Sequence, residues 1–318
     1  MIALICLAIL HTYYPSPEER AMGSFCWEKI ECAPFDTLIP CWNGPDPGSE
    51  RGYALFVSLL QKDTWSSWIP IAEEGDREFG VAVNYTLSSS AEMTKGAIRS
   101  KNGPCTGFQI LLLSWNSQPT TLTTLLVSTS DSSHRPPAGE IPQLTSVLLP
   151  NMPRISQIAL RHSNYLELSL PTAMAAAVGQ VMGKPIDVLS FCNAARDPEF
   201  GSYESWLWNT AVASRTLEDG YNVYLECLPD LAALHTHLLN GFPVVVAVRG
   251  YLPGCSRPYR KDHMVCIYGY DADGQIVYAI DGGFPNPRAS ATTFPIAEFL
   301  KSWERAGNRA CIIERRRA

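Results

Sequence analysis

The first half of the chain alternates short apolar runs with turn residues. Strand-sized runs lie at Tyr53 to Leu60, Gly80 to Leu87 and Gly107 to Ser114, and glycine, proline, asparagine and aspartate separate them. No helical period appears between Phe25 and Ser130. Short strands joined by turns, without helices between them, predict an antiparallel β-sandwich over residues 21–130.

The pattern changes after this region. Residues 131–153 are rich in serine, threonine and proline and carry few charges, which is typical of a linker. From residue 154 to 318, helical and strand patterns mix: Pro171 to Met182 and Asp230 to Asn240 predict helices that end at a glycine, and Pro243 to Val248 predicts a buried strand. A chain of 318 residues is long enough for two cores. We therefore predict an α+β protein with two domains.

One β-hairpin in the second half brings two polar residues together. His263 to Tyr270 and Gln275 to Ile280 predict strands, and the sequence Asp-Ala-Asp-Gly between them is a strong turn signal. If the turn centres on its two middle residues, residues pair when their numbers sum to about 545, which sets His263 opposite residue 282. We expect His263 and Asp281 to be neighbours, and a one-residue bulge or a slightly different loop would place them on one face.

These residues form part of a candidate catalytic site. A carboxylate beside a histidine can fix the imidazole tautomer and stabilise its cation, so His263 and Asp281 are a candidate base and its partner. Ser169 precedes the helix predicted from Pro171, where unpaired amides and the helix dipole favour an anion, and Gln157 could supply a second donor. The structural alternatives are a helix cap for the serine, surface polarity for the glutamine, a solvent-facing strand end for the histidine and a turn cap for the aspartate.

The segments around these residues resemble one known family, the papain-like cysteine peptidases of family thirty-nine, the bacteriocin-processing type. Their shared order and spacing is a stronger signal than any single motif. The matching segments are Ser-Leu-Pro-Thr-Ala-Met at 169–174, Trp-Leu-Trp-Asn-Thr-Ala at 206–211, Gly-Phe-Pro-Val-Val at 241–245, Asp-His-Met-Val at 262–265, Ile-Asp at 280–281 and the closing stretch 299–313. Residues 34–43 also resemble the β-rich domain that precedes the peptidase in one bacterial branch.

The resemblance implies a papain-like α+β domain after the sandwich and assigns a role to each candidate residue. Gln157 corresponds to the oxyanion hole, Ser169 to the nucleophile position, His263 to the general base and Asp281 to the orienting acid. Three of the four agree with the family, which has cysteine where this chain has Ser169. A thiol beside a histidine can have its pKa lowered from about 8.5 to about 3 or 4, whereas a serine must lose its proton during attack.

Other departures surround the nucleophile position. Leu170 stands where the family has serine or glycine, and Leu168 stands where the bacterial branch has tryptophan. No other thiol offers a substitute, because none begins a helix preceded by an oxyanion donor. The cysteines considered are Cys192, Cys255 and Cys266.

Two functions fit these residues. The first is an impaired or inactive peptidase homologue that binds a peptide or protein; the second is an active hydrolase or acyltransferase that uses Ser169, His263 and Asp281 on peptides. A cysteine-to-serine change that silences a true peptidase is a further alternative.

In the first half, tryptophans either pack the two sheets or stack on cell-wall glycans, and packing is the expected role because tryptophan is largely buried on average. They are Trp27, Trp42, Trp65, Trp68 and Trp115.

Composition and charge limit the classes of partner that the chain is expected to bind. A net charge of −6 gives no reason to expect nucleic acid, and we expect no cofactor and no metal. The apolar run Met1 to Leu10 is shorter than the about 20 residues of a membrane span, so residues 1–20 are either a degenerate signal peptide or a buried segment. We expect an extracytoplasmic location, with the cytoplasm as the alternative. Ten cysteines without paired spacing decide neither disulfides nor compartment.

Overall fold

The chain folds into two compact units. A computed structural model describes residues 8–48, 51–75, 91–94, 96–131, 143–218 and 220–316. One unit covers Ala8–His134 and the other extends from Arg135 to Ala318. Helices and antiparallel sheets both occur, so the α+β prediction is confirmed. The domain bounds derived from the sequence stay a prediction.

The first unit is built almost wholly of strands. Its described elements are β1 (Ile9–Tyr13), α1 (Pro17–Met22), β2 (Ser24–Lys29), β3 (Thr37–Asn43), β4 (Tyr53–Gln61), β5 (Thr64–Trp65), β6 (Ile69–Glu74), β7 (Ala91–Thr94), β8 (Ala97–Ser100), β9 (Gly107–Ser114) and β10 (Thr124–Ser130). The strand predicted over residues 80–87 lies outside the described residues. The strands form two antiparallel sheets, ordered β1-β10-β3-β8-β7 and β2-β9-β4-β5, with β6 also paired to β4.

Aromatic side chains fill the space between these two sheets. Tyr13 of β1 stacks on Trp27 of β2 with ring centroids 5.2 Å apart, and His11 meets Phe108 of β9 edge-on at 5.3 Å. Trp27 and Trp42 are buried, which agrees with a packing role for these two, while Trp68 is 41% exposed. The end of the apolar N-terminal run, Ile9 and Leu10, forms the start of β1, and residues 1–7 of that run lie outside the described residues.

The second unit combines one sheet with five described helices. Its elements are β11 (Val147–Leu148), α2 (Ser169–Met182), α3 (Val188–Ala194), α4 (Trp206–Leu217), β12 (Tyr221–Cys227), α5 (Leu231–Leu239), β13 (Val244–Gly250), β14 (Tyr259–Asp271), β15 (Ile276–Asp281), β16 (Ala291–Pro295), α6 (Ile296–Arg305) and β17 (Arg309–Arg315). The sheet order is β12-β17-β13-β14-β15-β16, and β11 pairs with β14. Since β11 comes from the stretch predicted as a linker, the end of that stretch is part of the sheet.

Helix α2 lies against the centre of this sheet, where it contacts β13, β14 and β15. Its alanine-rich middle is buried, because small side chains allow a helix to pack closely on strands. The helix begins at Ser169, two residues before the predicted start, and ends at Gly183, whose φ of 65° is the left-handed conformation that glycine adopts readily. A Cβ added at Gly282, the residue after β15, would lie 3.0 Å from Thr172 Oγ1, so the first turn of α2 lies beside the end of the β14–β15 hairpin.

The hairpin differs slightly from its predicted register. Asp271 pairs with Ile276, so the turn lies one residue later than expected. The register then shifts between Ile267 and Gly269, and beyond this bulge Val265 pairs with Asp281. Because side chains alternate along a strand, His263 lies on the same face as Val265 and therefore on the same face as Asp281.

Candidate active site

His263 and Asp281 form a buried pair. His263 Nε2 lies 2.8 Å from Asp281 Oδ1, as the hairpin argument expected. Asp281 is fully buried and His263 is 6% exposed, so the solvent-facing alternative is wrong for the histidine. The turn-cap alternative for Asp281 describes one of its contacts, since the Gly283 amide donates to Oδ1 at 2.8 Å. Since Nε2 faces the carboxylate, Nδ1 is the ring nitrogen that Asp281 leaves available to another group.

Four donors surround the Asp281 carboxylate. Oδ1 accepts from His263 and from the Gly283 amide at 2.8 Å, and Oδ2 accepts from the Ser256 amide at 3.2 Å and from the Tyr259 hydroxyl. Burial raises the pKa of this carboxyl, but the hydrogen bond and charge of His263, with the bonds from Tyr259 and Gly283, outweigh burial and lower the pKa below its ordinary value. The aspartate is thus held as a charged, fully bonded acceptor.

Tyr259 was not identified by the sequence analysis. Its ring is stacked on the His263 imidazole, with centroids 3.9 Å apart and planes inclined by 11°. Val248 pairs with His263 and Gly250 pairs with Tyr259, so β14 has two extra residues between these two pairs. Such a bulge changes the direction of side chains. Here it allows the ring of Tyr259 to lie over His263, which follows it by four positions in the strand. The two-residue period of a strand does not predict a contact that depends on a bulge.

Ser169 is the first residue of α2. It is 5% exposed and belongs to the helix itself, while Leu168 occupies the capping position. The helix-cap interpretation is therefore wrong, since no side chain caps α2. Within the described residues, the Ser169 hydroxyl makes no hydrogen bond to His263 or to any other group.

Gln157 is buried beside the first turn of α2, so the surface-polarity alternative is wrong. Its Nε2 donates to the Tyr165 carbonyl at 2.7 Å, and its backbone amide donates to the Gly282 carbonyl at 2.9 Å. A Cβ added at Gly282 would lie 3.0 Å from Thr172 Oγ1 and 3.4 Å from Gln157 Oε1. The residue after Asp281 is thus the point where the hairpin, α2 and Gln157 meet.

The remaining departures lie in the protein interior. Leu168 and Leu170 are buried, and Leu168 packs with Cys192 and Tyr203. Burial raises the pKa of the Cys192 thiol to about 12, with a smaller contribution from Asp187. Burial likewise raises the pKa of the Cys266 thiol, which lies on β14 with Tyr259 and His263. Thiols with raised pKa values are poor nucleophiles, which agrees with the sequence argument against a substitute cysteine.

Neither a metal-binding cluster nor a membrane-spanning helix occurs among the residues that the structure describes. Within those residues, no group of three or more histidine, cysteine, aspartate or glutamate side chains is arranged to hold a metal ion. The described helices also include none with the length and apolar character needed to cross a bilayer.

Comparison with known proteins identifies one family. The family model of the Peptidase_C39-like family matches residues 150–311, about half of the chain. The matched range contains Gln157, Ser169, His263 and Asp281. No curated protein and no solved structure matches the chain.

Proposed function

The chain belongs to the Peptidase_C39-like family, and from this premise we propose that it is a peptidase homologue with a papain-like fold that binds peptides without cleaving them. One observation carries the proposal: a serine stands at the head of α2, next to the hairpin that carries a buried histidine–carboxylate pair. A cysteine at this place would be ionised by the histidine before substrate arrives. Ser169 lacks that property, because its hydroxyl is not acidic enough to ionise.

The surroundings of Ser169 support loss of the reaction. A serine nucleophile needs its base within hydrogen-bonding reach, about 2.6 to 3.2 Å. In the described structure, Ser169 makes no such bond to His263. One of the two Nε2 hydrogens of Gln157, expected as an oxyanion donor, is donated to the Tyr165 carbonyl at 2.7 Å, so at most one remains for an oxyanion.

The same surroundings favour retention of binding. The first amides of a helix have no partner within the helix and attract carbonyl or carboxylate oxygens. At α2 they lie close to the hairpin that holds the His263–Asp281 pair, and an imidazole can donate to or accept from a peptide group. A peptide carbonyl or C-terminal carboxylate is therefore the group that we expect at Ser169.

Restoring the thiol tests the site. We expect Ser169→Cys to be alkylated at about pH 6 roughly 10²-fold faster than Ser169→Cys/His263→Ala, because only a histidine-paired thiol is largely ionised there. The unmodified protein gives the background from its own cysteines, of which Cys26 is exposed. Equal rates in the two variants would show that the nucleophile position and the histidine do not work together.

Peptide binding tests the function itself. A peptide selected for binding to the unmodified protein should slow the alkylation of Ser169→Cys when it is present at saturation. The control is the alkylation of Cys26, which lies in the other unit and should be unaffected. If no peptide binds, or if bound peptide leaves the alkylation of Ser169→Cys unchanged, the binding proposal is wrong.

A second candidate is an active serine hydrolase or acyltransferase. It is favoured by the 2.8 Å contact between His263 Nε2 and Asp281, which leaves Nδ1 available as a base. A fluorophosphonate should then label the unmodified protein, and the label should be lost in both Ser169→Ala and His263→Ala. No labelling of a folded protein would rule this candidate out.

Two further expectations concern the rest of the protein. We propose glycan contact through the first unit, with Trp68 as the stacking residue because its side chain is 41% exposed. Cell-wall glycan binding that survives Trp68→Ala would contradict this. An extracytoplasmic location stays a prediction, which fractionation of cells that make the protein would test.

A further inference from the structure

Tyr259 contacts both members of the buried pair. Its hydroxyl donates to Asp281 Oδ2, and its ring covers the His263 imidazole at a centroid distance of 3.9 Å. Tyr259 is itself buried, and its hydroxyl also lies 3.1 Å from Ser256 Oγ. One side chain therefore holds the carboxylate by a hydrogen bond and the imidazole by a ring contact.

These two contacts restrict different movements. An imidazole bonded only through Nε2 can still swing about that bond, because one hydrogen bond does not fix the plane of the ring. A second aromatic ring, parallel to within 11°, fixes that plane. Four donors hold the carboxylate in turn, and Tyr259 is the only one of the four contributed by a side chain other than His263.

We infer that Tyr259 is a positioning residue, which holds His263 with Nε2 bonded to Asp281 and Nδ1 available at the candidate site. The inference rests on the proposed function only in taking these residues as the site. The imidazole plane then depends on the β14 bulge, since the two extra residues between Tyr259 and His263 allow the rings to stack.

Two substitutions in the full chain separate the contacts of Tyr259. Tyr259→Phe removes the hydroxyl and keeps the ring, whereas Tyr259→Leu removes both. In Tyr259→Phe we expect the ¹³C titration of the Asp281 carboxyl to move to higher pH, because the carboxylate loses a donor. In Tyr259→Leu we expect the ring signals of His263 to broaden or double, because Nε2 remains bonded to Asp281 while the plane of the imidazole is no longer fixed.

Tyr203→Phe is a matched control. Tyr203 is as buried as Tyr259, and its hydroxyl bonds to a different histidine, His162, at 3.3 Å. This variant should leave the signals of both His263 and Asp281 unchanged. A purely structural tyrosine at 259 would lower the unfolding temperature without altering either signal, and that result would overturn the inference.

Failure of the inference can be told apart from failure of the proposed function. The NMR signals need neither a peptide nor a reactive thiol, so they report on Tyr259 even if no peptide binds. Conversely, a peptide that binds at Ser169 while Tyr259→Phe leaves the Asp281 titration unchanged would uphold the function and reject the inference. If Tyr259→Leu does not fold, Tyr259→Phe still decides the outcome, since it keeps the packing of the ring.

Discussion

The two sides of the candidate site are held by different forces. On the sheet side, Asp281 accepts four hydrogen bonds and carries a charge at zero exposure. On the helix side, Leu168 and Leu170 pack into the interior on either side of Ser169, whose hydroxyl makes no hydrogen bond within the described structure. The sheet side therefore depends on charge and bonding, whereas the helix side depends mainly on shape.

Under the proposed function, this difference explains why serine is accepted at the nucleophile position while His263 and Asp281 are retained. A side chain of similar size fits at position 169 whatever its acidity, because its neighbours do not bond to it. Removing one member of the buried pair leaves the other charge and its donors without partners, which is costly. Loss of a reaction by substitution of the nucleophile is thus compatible with an unchanged fold.

The largest effect is expected on the sheet side. Asp281→Ala removes the acceptor of four hydrogen bonds and should lower the free energy of unfolding by about 3 to 5 kcal/mol. Hydrogen exchange of the β14 amides would measure this in the second unit alone. Asp187→Ala is the control: this exposed residue caps α3 through the Leu189 and Ser190 amides, and its loss should cost much less than the loss of Asp281. Equal effects of the two changes would contradict the comparison.

The contribution of Asp281 should also depend on pH. Its pKa in the folded protein is lower than its ordinary value, since hydrogen bonds and the charge of His263 outweigh burial. The stabilisation is therefore present above the ordinary carboxyl pKa of about 4 and is lost as the pH falls through the folded value. The difference in stability between the unmodified protein and Asp281→Asn should shrink on acidification. A difference in stability that grows on acidification would show that folding raises the pKa of Asp281 instead of lowering it.

An intermediate effect is expected where the two sides meet. Gly282→Ala places a Cβ 3.0 Å from Thr172 Oγ1, and that hydroxyl is held by the Leu168 carbonyl at 2.6 Å. We expect a loss of about 1 to 3 kcal/mol from overpacking. Thr172→Ala removes the obstructing atom, so Gly282→Ala should cost less in that background. The same cost in both backgrounds would mean that Thr172 does not limit the space.

Local patterns explain what the sequence could predict at this site. The proximity of His263 and Asp281 is predicted by a turn signal, which is local. Their place on one face depends also on a turn one residue later than predicted and on the bulge between Ile267 and Gly269. The contact of Tyr259 depends on a bulge set by the pairing of β13 with β14, and no local pattern specifies that register. Gln157 lies in a loop, where no period distinguishes a buried amide from an exposed one.

The smallest effect is expected for Ser169→Ala. Alanine suits the first turn of a helix, and within the described residues no hydrogen bond of the hydroxyl is lost, so stability should change by less than about 0.5 kcal/mol. Thr172→Ala, in the same turn, removes the hydrogen bond to Leu168 and should cost about 1 kcal/mol. Hydrogen exchange of the α2 amides would compare them. A larger loss for Ser169→Ala would mean that its hydroxyl has a bonded partner, and the helix side would then depend on bonding as the sheet side does.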